Sequence, residues 1–292
     1  MFVKLPLPAH VKLKKWLYSL AGRRLRSFAI VTDMPSINYF KDLTLLVTHY
    51  NRSDSLYRLL QSFKDSQCTF EDIVVSDDGS SDQHLNSILK LQADFGFRLI
   101  SSPTNKGLAH NLNKGQNAVN TLFTLYIQED FVPSDTFAQH LTDAVNLIRE
   151  KADLDIIRFY AYRRYPYLIP YKKGFSEMII KPWHLNYYKV HFYSDHPHLR
   201  RSTFLQKFGK YQEGIKGDRA EYRMCLSFIQ KKGKGLFFDD YKSLFTQRNS
   251  ETEPSTMSRR SWTNSQNLLV RVTRYIYRQL KYNYDIHFFR IP

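Results

Sequence analysis

The sequence has few cysteines, no long apolar run and no acidic excess. Of its 292 residues only Cys68 and Cys225 are cysteines. Two thiols cannot build a disulfide framework and match no metal-ligand spacing, so we expect both to be packing residues in a reducing compartment. No stretch approaches the roughly 18 unbroken apolar residues of a membrane span, and residues 1–10 lack the order of a secretion signal. We therefore expect a cytoplasmic protein, or one held peripherally on the inner face of the cell membrane.

The excess positive charge is confined to the two ends of the chain. The formal net charge is +16. Residues 1–40 and residues 256–292 each carry seven Lys or Arg against one acid, whereas residues 41–255 hold 29 basic and 25 acidic residues. A nucleic-acid groove running over the whole fold would make the centre basic as well. Nucleic acid is therefore not expected as a partner.

Short apolar strands alternate with amphipathic helices in the first half of the chain. Ser53 or Asp54 is the expected N-cap of the first helix. This alternation predicts an α/β fold with a doubly wound, mostly parallel sheet. The predicted strands are residues 43–48, 73–76, 98–101 and 122–127, and the helices after them contain Leu56, Leu59, Leu60 and Phe63; Leu85, Ile88 and Leu89; residues 108–119; and Phe137, Leu141, Val145 and Ile148.

The alternation loosens after about residue 155. A strand is expected at 156–160 and a helix at 218–230, and the polar segment 246–261 reads as a mobile loop. We divide the chain into a basic N-terminal extension (1–40), a main domain (41–245) whose nucleotide-binding and acceptor-side halves meet near residue 132, and a loop with a C-terminal helix (246–292).

Four polar motifs follow the predicted strands, at the edge where open α/β sheets bind ligands. They are VTHYNR (47–52), VVSDDGSSD (74–82), NKGLAHNLNKG (105–115) and YIQEDFVPS (126–134). Over about residues 42–240 they resemble the inverting family 2 glycosyltransferases, which have the GT-A fold. The resemblance implies transfer of a sugar from a nucleotide-sugar, which we expect to be a UDP-sugar, to a glycan or lipid-linked acceptor in bacterial surface-polysaccharide synthesis.

The first two motifs are expected to hold the donor nucleotide. Thr48 and Tyr50 offer a polar contact and a ring face, and a carboxylate such as Asp78 can accept a hydrogen bond from a base N–H. By resemblance, Asp78 contacts uracil or a similar base. The alternative is that the acids of this motif only cap the next helix.

The third motif places Lys106 and Gly107 at a helix start, where N–H groups can face the phosphates or the ribose of the donor. Leu112 stands where many family members have arginine, so Lys106 or Lys114 is expected to replace that contact. A plain helix cap is the alternative interpretation.

The fourth motif occupies the position of the family's Asp-x-Asp, which holds a divalent cation, Mn²⁺ or Mg²⁺. Gln128 replaces the first acid, so the resemblance makes Asp130 the primary ligand and Glu129 a helper or a ribose contact. Such a cation would offset the charge of the leaving diphosphate. Solvated surface acids and a metal-independent reaction are the alternatives.

An inverting transfer needs a base for the acceptor hydroxyl. By resemblance, KGDRAEYRM (216–224) supplies it from Asp218, with Glu221 in reserve; the alternative is that the acid caps the helix. In SDHPHLRRS (194–202) the histidine spacing is too unspecific for a metal site, and we expect an acceptor-side loop with Arg200 or Arg201 facing phosphate groups.

Basic amphipathic helices are expected at both ends. In residues 268–281 an apolar stripe lies beside a cationic one, and residues 12–20 repeat this pattern on a smaller scale. Such helices bind anionic membranes or pack on the domain with their cations outward. A scaffold that keeps the fold without catalysis, or a basic protein that binds nucleic acid or membranes, remains the rival function, because Gln128 and Leu112 depart from the family pattern.

Overall fold

The computed structural model describes residues 38–249, residue 253 and residues 267–290. Residues 1–37 of the N-terminal extension, including the helix predicted at 12–20, lie outside the described residues, and residues 38–40 belong to the first strand of the sheet. Within them, a central sheet of nine strands has helices on both faces, which confirms the predicted α/β fold. No helix in the described part of the chain is both long and apolar enough to cross a membrane.

The helices and strands follow the predicted alternation through the first half of the chain. A 3-10 helix spans Tyr187–Phe192. The strands are β1 Asn38–His49, β2 Cys68–Asp77, β3 Arg98–Ser101, β4 Phe123–Gln128, β5 Phe131–Pro133, β6 Ile156–Arg158, β7 Leu168–Lys172, β8 Phe175–Met178, β9 His198–Arg201, β10 Gly235–Phe238 and β11 Phe245–Gln247. The α-helices are α1 Ser53–Asp65, α2 Asp82–Phe95, α3 Leu108–Asn117, α4 Phe137–Glu150, α5 Phe204–Phe208, α6 Gly217–Gln230 and α7 Leu268–Phe288.

The nine-stranded sheet has the order β3-β2-β1-β4-β9-β6-β10-β8-β7. Strands β1 to β4 are parallel, and β6 is parallel to β10. Strand β9 is antiparallel to both β4 and β6, and β8 is antiparallel to β10 and β7. The sheet is therefore mostly parallel, with the antiparallel strands in its second half.

Three local predictions differ from the structure. Strands β1 and β2 begin five residues earlier than predicted, because residues 38–40 pair with residues 68–70 although these segments are not apolar runs. The prediction of a mobile loop over residues 246–261 is wrong for residues 246 and 247, which belong to β11 and pair with β5. The side chains of Ser53 and Asp54 do not cap α1; its N-cap residue is Arg52, which makes no side-chain cap bond.

Central strands are covered on both faces, so only their ends are open to ligands. Leu45 and Val47 of β1 belong to one hydrophobic cluster and Leu46 to the other, as the alternation of a strand requires. Cys68 and Cys225 are buried free thiols in these two clusters, and burial raises the pKa of Cys68 to about 11. Both cysteines are packing residues, as predicted.

The loop after β2 packs closely against the backbone of Thr104, and a substitution at Gly79 tests this packing. The φ of Gly79 is +74°, and a Cβ there would lie 2.5 Å from the carbonyl carbon of Thr104. Gly96 has a similar φ of +68° but open space around a Cβ. In urea unfolding we expect Gly96→Ala to lose about 1 kcal/mol from its backbone conformation alone, and Gly79→Ala to lose at least about 1 kcal/mol more. Equal losses would contradict the close contact with Thr104.

Candidate functional site

The carboxyl ends of β1, β2 and β4 meet at one edge of the sheet. Thr48 of β1 is in register with Ser76 of β2 and with Gln128 of β4. The residues that follow these strands therefore share this edge, as the motifs predict.

Asp77, the last residue of β2, holds the loops of this edge together. It is fully buried and accepts hydrogen bonds from Ser101 Oγ at 2.9 Å and Ser80 Oγ at 2.5 Å, and it pairs with His49 Nδ1 at 2.9 Å. Burial alone would raise the pKa of Asp77, but the hydrogen bonds from His49 and Ser80 outweigh it and hold the pKa well below its usual range. Asp77 is therefore a structural carboxylate.

Asp78 joins the β2 loop to the start of α3. It is buried, and its carboxylate oxygens accept hydrogen bonds from Lys106 N at 3.1 Å and Gly107 N at 2.7 Å. It does not cap α2, whose N-cap residue Ser81 has no side-chain bond. Gly107 has a φ of +90°, and a Cβ there would meet nothing within 4 Å. A buried carboxylate thus lies beside open space at a helix start.

The other predicted donor contacts have different surroundings. The Thr48 hydroxyl is buried and hydrogen-bonds to Tyr126 Oη at 3.0 Å, whereas Tyr50 is only half-buried and Lys106 is exposed. Lys114 donates to the backbone oxygen of Asp77 and to Ser102 Oγ, and burial lowers its pKa, so it acts within the fold. Leu112, in place of the family's arginine, is a fully buried core residue.

Glu129 and Asp130 are buried against an arginine that the sequence analysis did not single out. Arg52 Nη1 lies 3.3 Å from Asp130 Oδ2 and 3.6 Å from Glu129 Oε1. Both acids are less than a tenth exposed, which excludes the alternative of solvated surface acids. Burial and then the charge of Asp130 raise the pKa of Glu129 to about 8, and Arg52 partly opposes this shift.

Residues after β10 complete this cluster. Gln247 Nε2 donates to Asp130 Oδ2 at 2.7 Å, and Arg52 Nη2 donates to Asn249 Oδ1 at 2.6 Å. The buried Glu253 carboxylate accepts from the backbone N–H groups of Asp54 and Ser55 at 2.9 Å, and so performs the N-terminal capping that we predicted for Ser53 or Asp54. No sequence motif could identify these partners, because about 200 residues separate Glu253 from α1.

The acids of this cluster fit a divalent cation in part. Asp130 Oδ1 is buried without a hydrogen-bond partner, and such a carboxylate oxygen is a suitable ligand. In the described residues no group of three His, Cys, Asp or Glu side chains could hold a metal. Mg²⁺ is often held by one or two carboxylates together with substrate phosphates, so Asp130 with Glu129 is a sufficient protein contribution.

The two candidate bases on α6 lie in different surroundings. Asp218 is exposed, and its carboxylate accepts only from the N–H of Arg219, which is the local contact expected of an acid at a helix start. Glu221 is half-buried and accepts from Asp195 N at 2.9 Å. Burial, followed by the nearby Asp195, raises the pKa of Glu221 to about 8. The Asp195 backbone oxygen lies 3.5 Å from Gln128 Nε2, which connects Glu221 to the end of β4.

The segment 194–202 contains interior side chains, not a set of phosphate contacts. Arg200 is fully buried and donates to Gln116 Oε1, and Arg201 donates to backbone oxygens that include Leu154 O. The prediction that one of them faces phosphate groups is therefore wrong, because β9 is an internal strand of the sheet. His198 is buried and His196 is half-buried, and loss of hydration lowers the pKa of both.

This edge, with polar loops after three parallel strands, agrees with a comparison to known families. The model of "Glycosyl transferase family 2" matches residues 44–209, which is more than half of the chain. The chain belongs to glycosyl transferase family 2. This confirms the resemblance on which the sequence-based interpretation depends.

Individual relatives are distant. A curated protein named "Uncharacterized glycosyltransferase YfnE", from Bacillus subtilis strain 168, is 27% identical over 100 residues, which is 34% of this chain and 26% of that protein. The chain thus matches about a quarter of the length of that relative.

Solved structures share the GT-A fold. S. aureus TarS 1–349 has a TM-score of 0.56 and 16% identity, covering 84% of this chain and 72% of that one. The mannosyltransferase PcManGT from Pyrobaculum calidifontis, in complex with GDP-Man and Mn²⁺, has a TM-score of 0.52 and 14% identity, covering 96% of this chain and 79% of that one. At these identities the likeness concerns the fold alone.

Arg52 should be essential for the stability of this edge. Arg52→Met leaves the buried Asp130 carboxylate, beside the buried Glu129, without its cation, so we expect a loss of about 3–5 kcal/mol in the free energy of unfolding, measured by urea titration. Arg98 makes a comparable but more exposed pair with Asp72, and Arg98→Met is the matched control, with an expected loss below about 1 kcal/mol. Similar losses in both variants would show that Arg52 does not compensate the acids.

Proposed function

We propose that the protein is an inverting glycosyltransferase that moves a sugar from a UDP-sugar to a glycan or lipid-linked acceptor in bacterial surface-polysaccharide synthesis. One observation carries the proposal: Asp78 beside the open space at Gly107 shares a sheet edge with the buried pair Glu129 and Asp130. In this proposal Asp78 contacts the base of the nucleotide, and Glu129 with Asp130 holds the cation that binds its diphosphate.

The donor nucleotide lies, in this proposal, across the loops after β1 and β2. Asp78 remains able to accept a further hydrogen bond from a uracil N–H, since each carboxylate oxygen has two lone pairs. Tyr50 offers its ring and Gly107 its open helix start, whereas the buried Thr48 and the exposed Lys106 are weaker candidates. S. aureus TarS has been crystallised in complex with UDP-GlcNAc and with UDP, which supports the choice of UDP.

Asp130 and Glu129 would hold a divalent cation, Mn²⁺ or Mg²⁺. When bound, such an ion supplies positive charge that stabilises the leaving diphosphate. The protein contributes the unpartnered Asp130 Oδ1, and Arg52 keeps the two acids in place. The complex of PcManGT with Mn²⁺ supports a cation in this fold.

Glu221 is the stronger candidate for the base, and Asp218 becomes the reserve. A base must point into the site, and Glu221 is fixed by Asp195 N whereas Asp218 is exposed. Gly217 at the start of α6 lies against Leu108 at the start of α3, so Glu221 is on the helix that faces the donor loops. In the reaction Glu221 would take the proton of the acceptor hydroxyl as the oxygen attacks the anomeric carbon.

We further propose that the enzyme acts in the cytoplasm and attaches peripherally to the inner face of the cell membrane, where a lipid-linked acceptor would lie. The division into an extension (1–40), a GT-A domain (41–245) and a C-terminal segment (246–292) is part of the same proposal.

UDP should bind more tightly than GDP, and Asp78 should be responsible. By calorimetry with Mn²⁺ present, we expect Asp78→Asn to weaken UDP binding by about 5- to 100-fold, because an amide NH₂ replaces one of the two acceptor oxygens. Asp82→Asn removes an exposed acid of the same motif and should leave the affinity unchanged. Unchanged UDP affinity in Asp78→Asn would remove this residue from the site, and binding of no nucleotide would refute the proposed function.

Glu221 should control turnover and its pH dependence. A base with a pKa of about 8 is mostly protonated at pH 7, so kcat/KM should rise with pH and level off above about 8. Glu221→Gln should reduce turnover by about 10²–10⁴-fold and abolish this rise, with UDP affinity preserved.

Asp218→Asn is the matched control on the same helix. It should keep most of its turnover and the wild-type pH profile, since its carboxylate is exposed. If Asp218→Asn loses turnover while Glu221→Gln keeps it, the base is Asp218.

A further inference from the structure

Helix α7 exposes an apolar stripe formed by Leu269, Val272, Ile276 and Leu280. These residues recur at spacings of three and four, so they lie along one face of the helix. Their exposed fractions run from 49% for Val272 to 77% for Leu269. Of the residues of this helix, Asp285 and Ile286 are the buried ones. The apolar stripe is therefore not part of the protein core.

A loop tip extends this stripe. Trp183 and Leu185 are 70% and 66% exposed. The carbonyl oxygen of Leu185 accepts hydrogen bonds from Asn283 Nδ2 at 3.0 Å and from Gln279 Nε2. On α7 both amides are one turn from residues of the apolar stripe, so the loop tip lies beside it. We call the apolar stripe together with Trp183 and Leu185 the docking surface.

The helix that carries most of the docking surface is cationic. Residues 267–290 contain five Lys or Arg and one acid, Asp285. That acid is only 6% exposed and is bound by Lys281 and by Tyr222 Oη, the latter at 2.5 Å, so it does not face a partner. Lys181 adds a cation next to Trp183, with its Nζ 5.4 Å from the ring centroid.

We propose that the docking surface binds an anionic lipid membrane through both elements, the helix and the loop tip. Apolar side chains would enter the boundary between headgroups and acyl chains, with Trp183 at the interface and the cations at the lipid phosphates. Association with a second copy is disfavoured, because it would bring two surfaces of the same charge together. The binding itself does not require glycosyl transfer.

Most of the docking surface lies on a helix that contacts α6, and membrane binding there would bring the proposed base near a lipid-linked acceptor. Tyr222, whose hydroxyl anchors α7 through Asp285, directly follows Glu221 on α6. A membrane bound at α7 would therefore lie close to α6, the helix that carries the proposed base. This last step rests on the proposed function, whereas the lipid binding does not.

Vesicle flotation of the full chain at low salt tests the docking surface. We expect binding to vesicles of equal phosphatidylglycerol and phosphatidylcholine, and little binding to phosphatidylcholine alone. The double variant Trp183→Ser, Leu185→Ser should bind at least about tenfold more weakly, since two large side chains lose their burial. Leu122→Ser, which removes a leucine that is 65% exposed elsewhere on the domain, is the matched control and should bind like wild type.

A single substitution tests how much positive charge contributes to membrane binding. Arg271 is exposed, and Arg271→Gln should weaken binding to the anionic vesicles by about fivefold, with a smaller effect as salt is raised. Quenching of tryptophan fluorescence by brominated lipid should be large for wild type and much smaller for Trp183→Phe, in which Trp16 and Trp262 remain.

Four results would overturn the proposal: no binding of wild type to anionic vesicles, full binding of the double variant, equal loss in Leu122→Ser, or a dimer in light scattering that the double variant abolishes. UDP affinity is measured on each variant and should stay at the wild-type value. Loss of vesicle binding with intact UDP binding separates this proposal from the proposed function.

Discussion

The guanidinium of Arg52 is the contact on which the candidate site depends. Two adjacent acids at the end of an apolar strand repel each other and are poorly hydrated, which is why the pKa of Glu129 rises to about 8. Arg52 brings a compensating charge from the loop after β1, and its planar fork also reaches Asn249. One cation thus connects the ends of two strands with the segment after β11. Any ligand that binds at this edge meets an arrangement already held by buried charges.

The two neighbouring acids at the end of β2 have different roles. Asp77 is turned into the fold, where His49, Ser80 and Ser101 bind it and keep it ionised. Asp78 instead binds the backbone ahead of α3 and adjoins open space. A loop that is fixed from within by one carboxylate can present the next one in a defined position, as a preorganised binding site requires.

Helix α6 carries both the proposed base and the residue that anchors α7. Its residue Glu221 faces inward to Asp195, while the next residue, Tyr222, anchors α7. The raised pKa of Glu221 follows from its burial beside Asp195, and such shifts are typical of functional carboxylates although they also occur in structural ones. The proposed base and the residue that anchors α7 are therefore neighbours on one helix.

The sequence by itself determined the α/β alternation, the four strand-end motifs and the family, because apolar periodicity and turn residues are local properties that short segments display. Through the resemblance to the family it also indicated Asp78, Asp130 and, for the base, Asp218 with Glu221 in reserve, and these roles stay predictions. Only the tertiary structure decided which carboxylates are structural, that Arg52 and Glu253 complete the cluster, that Arg200 is internal and that the loop of Leu185 binds α7. Each of these depends on contacts between segments distant in sequence, such as Arg52 with Asn249, and on burial, which sets the charge state of an acid but leaves no pattern in the chain.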